Sequence, residues 1–574
     1  MAGDEAYNHY RPVKRLWGLM KAERKLIYLI AYYAFVGGII VLTLPLGIQA
    51  ILNFILGGRV SSSWILLVFI VLAGLIIAGL LQIAQMKLTE GLQQRIFAKS
   101  SFDLAVRIPR VRLDALQNQY APELINRFFD TITLQKTFAK LLIDYPTAGL
   151  QVFFGLILIS VYHPLFLIFS AGLIFVLYLL FKYTGPQGVV TSLKESSHKY
   201  EVAHWLEELA RTLGTFKLAG VTALPLVRVD KLIMGYLYYR RKHFEILITQ
   251  YKILVAFKVI AVGVLLVLGS ILLIDDQISL GQFVAVEIII ILIMNSIEKL
   301  IVGLESVYDL LTSLEKLGSI LDLPLEEDND TKTVLAAIEA GFEVSTQNLN
   351  FSYPETDKMV IAGVNMRVPA GKKVALVGGA GSGKSTLLQL LSGIYDNYQG
   401  RITYNGIPLT ALRHDMLRLQ IGDNIWHETI FKGSLRENIT IGRENITDEM
   451  ILEALRVVSA VDDKNFLEDG LNTEILPGGM RIPRSFASKI MLARSIVANP
   501  QLILLELEID YMRQAEKQRF FDYLCQNRCT VIAATTDEDF LQRCDHILFM
   551  QLGSIVFEGT YKDYKDSNYA QSVK

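Results

Sequence analysis

The N-terminal part of the chain alternates between apolar runs long enough to cross a bilayer and polar stretches that keep a helical period. The apolar cores fall near 26–56, 63–86, 141–162, 164–182, 254–274 and 282–302, each close to or above the roughly 20 residues that a spanning helix needs. Polar stretches such as Leu88-Thr89-Glu90-Gly91-Leu92-Gln93-Gln94-Arg95-Ile96-Phe97 repeat with a helical period, so the spanning helices should run on beyond the membrane. Pro109, Pro122, Gly214, Gly220 and Pro225 interrupt that period, which predicts turns and short crosswise helices at the far ends. From about Phe342 the pattern changes to short β-branched strands alternating with helices, the mark of a soluble α/β domain. The acidic run Leu325-Glu326-Glu327-Asp328-Asn329-Asp330-Thr331-Lys332 reads as the linker between the two parts.

Charge orients the spans. The first, third and fifth connections, around Gly57–Ser62, Tyr162-His163-Pro164 and Asp275–Leu280, are short, with Arg59 as their single lysine or arginine. The long second and fourth connections carry Arg107, Arg110, Arg112, Lys194, Lys217, Arg228, Arg240, Arg241 and Lys242. By the positive-inside rule both termini and the long connections are cytoplasmic. Residues 10–25 mix basic side chains with Leu16, Trp17, Leu19 and Met20, which suits a short helix lying on the cytoplasmic face of the bilayer. The expected organisation is a leader and interfacial helix over 1–25, a six-helix membrane domain over 26–320, a linker over 321–341 and an α/β domain over 342–574.

Composition agrees. A chain of 574 residues that is 52% hydrophobic, with mean hydropathy +0.36, is too apolar to be soluble throughout. The net charge of −1 provides no global attraction to nucleic acid. Cys525, Cys529 and Cys544 show no ligand spacing and read as reduced thiols. The first apolar run is too long for the core of a signal peptide.

A few polar residues fall inside the spans. Asn53, Gln82 and Gln85 can be satisfied between helices. Lys258 and Glu298 lie at similar depth by helix rise and can pair, although Lys258 can equally snorkel to the inner interface. Glu287 lies deeper, where a carboxylate should face a cavity or a partner helix rather than lipid.

The strongest local signal is Val374-Ala375-Leu376-Val377-Gly378-Gly379-Ala380-Gly381-Ser382-Gly383-Lys384-Ser385-Thr386. It is the phosphate loop G-x-x-x-x-G-K-S/T, placed as the motif requires between a buried strand and a helix start. Gly378, Gly379, Gly381 and Gly383 let backbone N–H groups, including that of Ser382, converge on a phosphate. The helix start and Lys384 add positive charge, while Ser385 offers a hydroxyl to Mg²⁺ and Thr386 continues the helix. The loop predicts binding of a nucleoside triphosphate.

Six spans followed by a phosphate-loop domain resemble an ATP-binding-cassette (ABC) exporter half-transporter. The resemblance covers nearly the whole chain and implies a membrane α-helical bundle plus a C-terminal α/β P-loop cassette, with ATP and Mg²⁺ as ligands. It places Tyr353, in Asn350-Phe351-Ser352-Tyr353-Pro354, where the family stacks an aromatic ring on adenine. Gly433-Ser434-Leu435-Arg436-Glu437-Asn438-Ile439 and Asn499-Pro500 hold the family register.

In that register the catalytic positions are altered. Trp426 stands where the family has its Mg²⁺-sensing glutamine. The signature Leu-Ser-Gly-Gly-Gln becomes Ile482-Pro483-Arg484-Ser485-Phe486, in which proline removes an N–H and Arg484 and Phe486 add bulk at the close approach to phosphate. The strand Leu502-Ile503-Leu504-Leu505 should end in Asp-Glu and ends in Glu506-Leu507. Glu506 keeps a carboxylate for metal, but Leu507 cannot act as general base. The family's Ser-Ala-Leu-Asp becomes Asp510-Tyr511-Met512-Arg513, and its switch histidine becomes Thr536. The resemblance thus implies an ABC-type transporter ATPase by descent whose own hydrolysis is negligible or very weak, with no catalytic residue assigned.

In the family two such domains sandwich two nucleotides, and each site combines one chain's phosphate loop with the other's signature. Three functions follow for this chain. It can be the degenerate half of a heterodimeric exporter with a second ABC half-transporter, a slow homodimeric pump, or a non-pumping ATP-binding scaffold with envelope secretion partners. The heterodimer is preferred. A multi-pass protein of the bacterial inner membrane, in contact with membrane lipid and without a nucleic-acid partner, is the expected setting.

Overall fold

The computed structural model describes residues 10–56, 62–116, 121–326, 332–337, 341–354, 356, 358–425, 430–461 and 469–571. They form two compact units, one of 1–110 with 119–323 and one of 111–118 with 324–574.

The first unit is helical. It comprises α1 (Tyr10–Ala22), α2 (Arg24–Val41), α3 (Thr43–Leu56), α4 (Ser62–Arg107), α5 (Ala121–Asn126), α6 (Asp130–Tyr162), α7 (Pro164–Arg211), α8 (Leu213–Leu218), α9 (Leu224–Ile274), α10 (Leu280–Val302) and α11 (Leu304–Leu321). Six stretches are long and apolar enough to cross a membrane: Arg24–Leu56, Ser63–Arg110, Leu124–Tyr162, Pro164–Arg211, Leu224–Ile274 and Leu280–Leu321. At about 1.5 Å per residue, the 51 residues of α9 extend more than twice the roughly 30 Å of a bilayer core. Long extensions beyond the membrane follow. The first span is broken at Leu42 into α2 and α3. Pro45 explains the break, because it has no N–H for the carbonyl of Val41. Near the predicted interruptions the chain forms short 3-10 turns at Ile108–Arg110 and Leu113–Leu116 and the brief helix α8.

Local chemistry starts the spanning helices. Pro164 occupies the first turn of α7, where the Leu165 N–H donates to His163 Nδ1 at 3.3 Å. Ser279 and Gln282 close a capping box on α10. The bundle core lies among α6, α7, α9 and α10, where Ile159, Phe166, Leu265 and Ile289 are fully buried.

Close packing ties the helices at their extended ends. On α7, Gly188 lets the Tyr308 ring of α11 come so near that an added Cβ would lie 2.2 Å from its Cζ. Gln250 Nε2 then donates to Tyr308 Oη and Thr184 Oγ1, both at 2.8 Å. Gly188→Ala is expected to cost about 1–3 kcal/mol by overpacking, read as a lower thermal midpoint of the full-length protein. Tyr308→Phe keeps the shape and is expected to cost about 0.5–1.5 kcal/mol for the lost hydrogen bond.

The predicted interfacial helix forms as α1 and is tied to α11. Arg15 donates to the carboxylates of Glu315 at 2.6 Å and Asp322 at 2.5 Å, its guanidinium lying over Gly318. Trp17 remains exposed. Lys258 and Glu298 do pair, at 3.2 Å. Glu287 is half-buried, and its Oε1 has no hydrogen-bond partner among the described residues.

The second unit is α/β. Its strands are β1 (Val344–Ser352), β2 (Met359–Val368), β3 (Lys373–Val377), β4 (Gln399–Tyr404), β5 (Ile407–Pro408), β6 (Ile421–Asp423), β7 (Gly433–Ser434), β8 (Glu474–Ile475), β9 (Leu502–Glu506), β10 (Thr530–Ala534), β11 (His546–Gln551) and β12 (Ser554–Gly559). Its helices are α12 (Lys384–Leu391), α13 (His414–Arg418), α14 (Leu435–Thr440), α15 (Asp448–Val457), α16 (Arg484–Ile496), α17 (Gln514–Gln526), α18 (Glu538–Arg543) and α19 (Tyr561–Asp566). The main sheet runs β12-β11-β3-β10-β9-β6, with β11, β3, β10, β9 and β6 parallel and β12 antiparallel. A smaller antiparallel sheet runs β2-β1-β4-β5.

The central strands read as unbroken apolar runs because both faces of the sheet are covered. Ala375, Val377, Ile503, Leu505, Val531 and Ala533 enter one core; Val374, Leu376, Leu502, Leu504 and Ile532 enter the other. Within the stretch read as a linker, Leu335 is buried in the second of these cores, and Thr333 bridges to Leu412.

Candidate functional site

The parallel sheet sets the site. Strand β3 delivers the chain into the phosphate loop, β9 ends beside it at Glu506, and β10 lies between them, pairing Ala534 with both Leu376 and Glu506. Three strand ends therefore converge on one edge, where an open α/β sheet binds its ligand.

Inside the loop, backbone geometry explains the glycines. Gly381 has φ +74° and Gly383 φ +102°, conformations that side chains other than glycine rarely adopt. At Gly378 the requirement is space, since a Cβ would lie 2.3 Å from the Met550 carbonyl oxygen. Gly379 has open space where a Cβ would be. Gly383 caps α12, whose first turn carries Lys384, Ser385 and Thr386. Ser385 is exposed, whereas Ser382 and Thr386 are buried.

Lys384 lies folded over its own loop. Its Nζ donates to the carbonyl oxygens of Gly378 at 2.7 Å and Gly379 at 2.9 Å, and to Ser382 Oγ at 3.2 Å. Burial pushes its pKa below the ordinary lysine value, against the opposing pull of the Glu506 carboxylate. The sequence-predicted metal position and the loop lysine are thus electrostatic neighbours.

Tyr353 belongs to an aromatic cluster with Phe351 and Tyr395, at ring separations of 5.1 and 5.8 Å. Its hydroxyl lies 3.0 Å from Thr386 Oγ1 and donates to Gln389 Oε1 at 3.4 Å. Sequence reading missed Tyr395 and this tie to α12, because neither carries a motif. It also missed Asn424, whose Oδ1 accepts from the Glu506 N–H at 2.8 Å and whose Nδ2 donates to the Glu506 carbonyl at 3.1 Å. That amide splints the end of β9.

The residues expected from the sequence at the family's catalytic positions differ from the loop in character. Leu507 is buried, 5% exposed, within the apolar core, and its N–H donates to the Ala534 carbonyl at 2.9 Å. Thr536 follows β10 and is exposed. Beside it, Asp537 accepts from Lys517 Nζ at 2.7 Å, an ion pair that no motif announced. Trp426 lies outside the described residues.

The stretch expected from the resemblance to be an altered signature opens α16. Pro483 is the N-cap, Arg484 is exposed at the first position, and Ile482, Arg484 and Ser485 line a cleft of about 1040 Å³ that Glu506, Asp510 and Tyr511 also border. One expectation is corrected. Phe486 adds no bulk to the exposed surface, because it is 2% exposed and packed into the core; its helix position turns an apolar ring inward. Arg484 alone carries the added bulk outward.

The loop fits a nucleotide phosphate, since Gly381 and Gly383 take left-handed backbone conformations and Gly378 packs too closely on the Met550 carbonyl for a Cβ, leaving open space at Gly379 and Gly381. Among the described residues no group of three His, Cys, Asp or Glu side chains gathers as a metal centre. Ser385 and Glu506 would hold Mg²⁺ only together with phosphate oxygens.

A six-helix membrane bundle joined to a phosphate-loop α/β domain is the fold of an ABC exporter half-transporter, and the chain is a multi-pass integral membrane protein. Residues 361–506 match the family model described as ABC transporter. The alpha-hemolysin translocation ATP-binding protein HlyB of Escherichia coli O157:H7 is 26% identical over 64% of this chain and 52% of its own length. An uncharacterized ABC transporter ATP-binding protein of Bacillus subtilis (strain 168), YknV, is 30% identical over 55% of this chain and 52% of its own. The chain spans about half the length of the curated relatives it matches. A bacterial Atm1-family ABC exporter solved with ATP bound superposes with a TM-score of 0.84 over 96% of this chain and 97% of that one, at 18% identity. That likeness is one of fold.

Proposed function

We propose that this chain is the degenerate half of a dimeric ABC exporter: it binds MgATP at Gly378–Thr386, with Tyr353 against the base, and does not hydrolyse it by itself. The observation that carries the reading is the contrast at one sheet edge. The loop keeps its left-handed glycines and Lys384, while the position after β9 holds Leu507 inside the core. Lys384 and the loop N–H groups hold phosphate, and Ser385 and Glu506 hold the metal. Leu507 offers no proton acceptor.

Bound ATP would neutralise charge and draw two nucleotide-binding domains together, so in this chain it acts as a closing ligand. The partner is a second ABC half-transporter, since a homodimer would carry Leu507 and the Pro483–Arg484 signature at both sites. Both termini face the cytoplasm, and the setting is the bacterial inner membrane. The name of the HlyB relative, an alpha-hemolysin translocation protein, supports peptide or protein cargo.

Extraction of the full-length chain from its own membrane is expected to bring a second half-transporter with it. Recovery of only a two-fold symmetric assembly of this chain would favour the homodimer or scaffold instead. Tyr353→Ala is expected to weaken ATP binding about tenfold, within the roughly 1–3 kcal/mol of base stacking; unchanged affinity would remove Tyr353 from the site.

A further inference from the structure

Inside the helical unit, α2, α4, α6 and α10 enclose a cavity of about 320 Å³ that the ATP site does not use. Small residues make the room: Ala34 and Gly37 on α2, Ala78 and Gly79 on α4, and Ala148 on α6. At Gly37 and Gly79 an added Cβ would meet nothing within 4 Å.

Its polar lining is out of proportion to its place in a spanning bundle. Gln82, Asp144, Thr147 and Lys299 all border it. Thr147 Oγ1 is buried with no hydrogen-bond partner among the described residues. Among the described residues Asp144 and Lys299 form no ion pair, although the Tyr145 hydroxyl donates to the Leu300 carbonyl at 3.0 Å and so holds their two helices side by side. Two further amides are already engaged: Gln85 Nε2 donates to the Ile30 carbonyl at 3.0 Å, and Gln151 Oε1 accepts from Ser296 at 2.7 Å.

Depth places the cavity at the membrane edge. Asp144 lies about 27 Å along α6 from its outer end, and Lys299 about 28 Å along α10 from its own, by helix rise. With a hydrocarbon core of about 30 Å, both charges sit at the inner boundary, where headgroups begin. At that depth Lys299 is exposed and Asp144 half-buried, so their charges reach the headgroup layer, while the buried Thr147 hydroxyl stays without a partner inside the cavity.

We infer that the α2–α4–α6–α10 cavity binds the headgroup of an inner-leaflet phospholipid that carries a primary ammonium beside its phosphate, the ammonium on Asp144 and the phosphate on Lys299. Two opposite charges that do not pair with each other suit a zwitterion, and Gln82 and Thr147 supply further hydrogen bonds. The volume admits a headgroup but not acyl chains. Those chains lie outside, along Tyr32, Ile76, Leu80 and Ile83, which are exposed apolar side chains on α2 and α4.

The test titrates the full-length protein in detergent with short-chain phosphatidylethanolamine, phosphatidylglycerol and free phosphoethanolamine, read by native mass spectrometry. One ethanolamine lipid per chain is expected, at least tenfold tighter than the glycerol lipid or the free headgroup. Asp144→Asn and Lys299→Gln should each weaken it at least tenfold, and Gly79→Leu should abolish it by filling the cavity. Asp144→Glu should retain binding, which separates loss of charge from misfolding, and Glu298→Gln, at the same depth but outside the cavity, should change it less than twofold. Equal binding of the glycerol lipid with a silent Asp144→Asn overturns the assignment. Equal binding of free phosphoethanolamine overturns the lipid as its source.

Discussion

Lys384→Ala is expected to weaken MgATP binding by two orders of magnitude while leaving the fold intact. The ammonium is the one full positive charge inside the loop, and each charge-assisted hydrogen bond to phosphate contributes about 1.5–3 kcal/mol. Its present acceptors are carbonyls of Gly378 and Gly379, which nucleotide phosphates would replace as partners. Because the side chain is only half-buried, its loss should move the thermal midpoint of the ligand-free protein little. Titration of purified wild-type and variant protein with a fluorescent ATP analogue makes the comparison. Equal affinities would remove nucleotide from the account altogether.

On the proposed reading, introducing a base at Leu507 should fail. The purified chain alone is expected to release phosphate 10²–10⁴-fold more slowly than an equipped cassette, the usual cost of a lost general base. Leu507→Glu is the obvious repair, yet Leu507 sits in the apolar core with its backbone bonded to Ala534. A carboxylate there must be desolvated or must drag the strand end outward, at a cost of several kcal/mol. The variant should therefore lose stability and gain no turnover. Two results would sink this view: ordinary turnover in the wild type that disappears on Lys384→Ala, or ordinary turnover in Leu507→Glu with an unchanged thermal midpoint.

Some of the molecule was legible along the chain because the relevant physics is local. Bilayer thickness demands long apolar runs, so the six spans stood out, and the phosphate loop stood out because glycine, lysine and hydroxyl must follow one another on a single turn. The Lys258–Glu298 pair followed from helix rise alone. The break at Leu42 had its cause, Pro45, in plain view, but hydropathy averages over such a defect.

By itself, the sequence determined the six-span bundle, the α/β domain, the phosphate loop and the residue types around it. Only the tertiary structure decided which way those residues face. Phe486 turns inward and Arg484 outward, Leu507 is locked in the core, Asn424 splints Glu506, and Asp144 and Lys299 meet at one cavity from different helices. Each of these depends on which surfaces are brought together by helix and sheet packing between segments distant in the chain, and neither periodicity nor motif spacing encodes that.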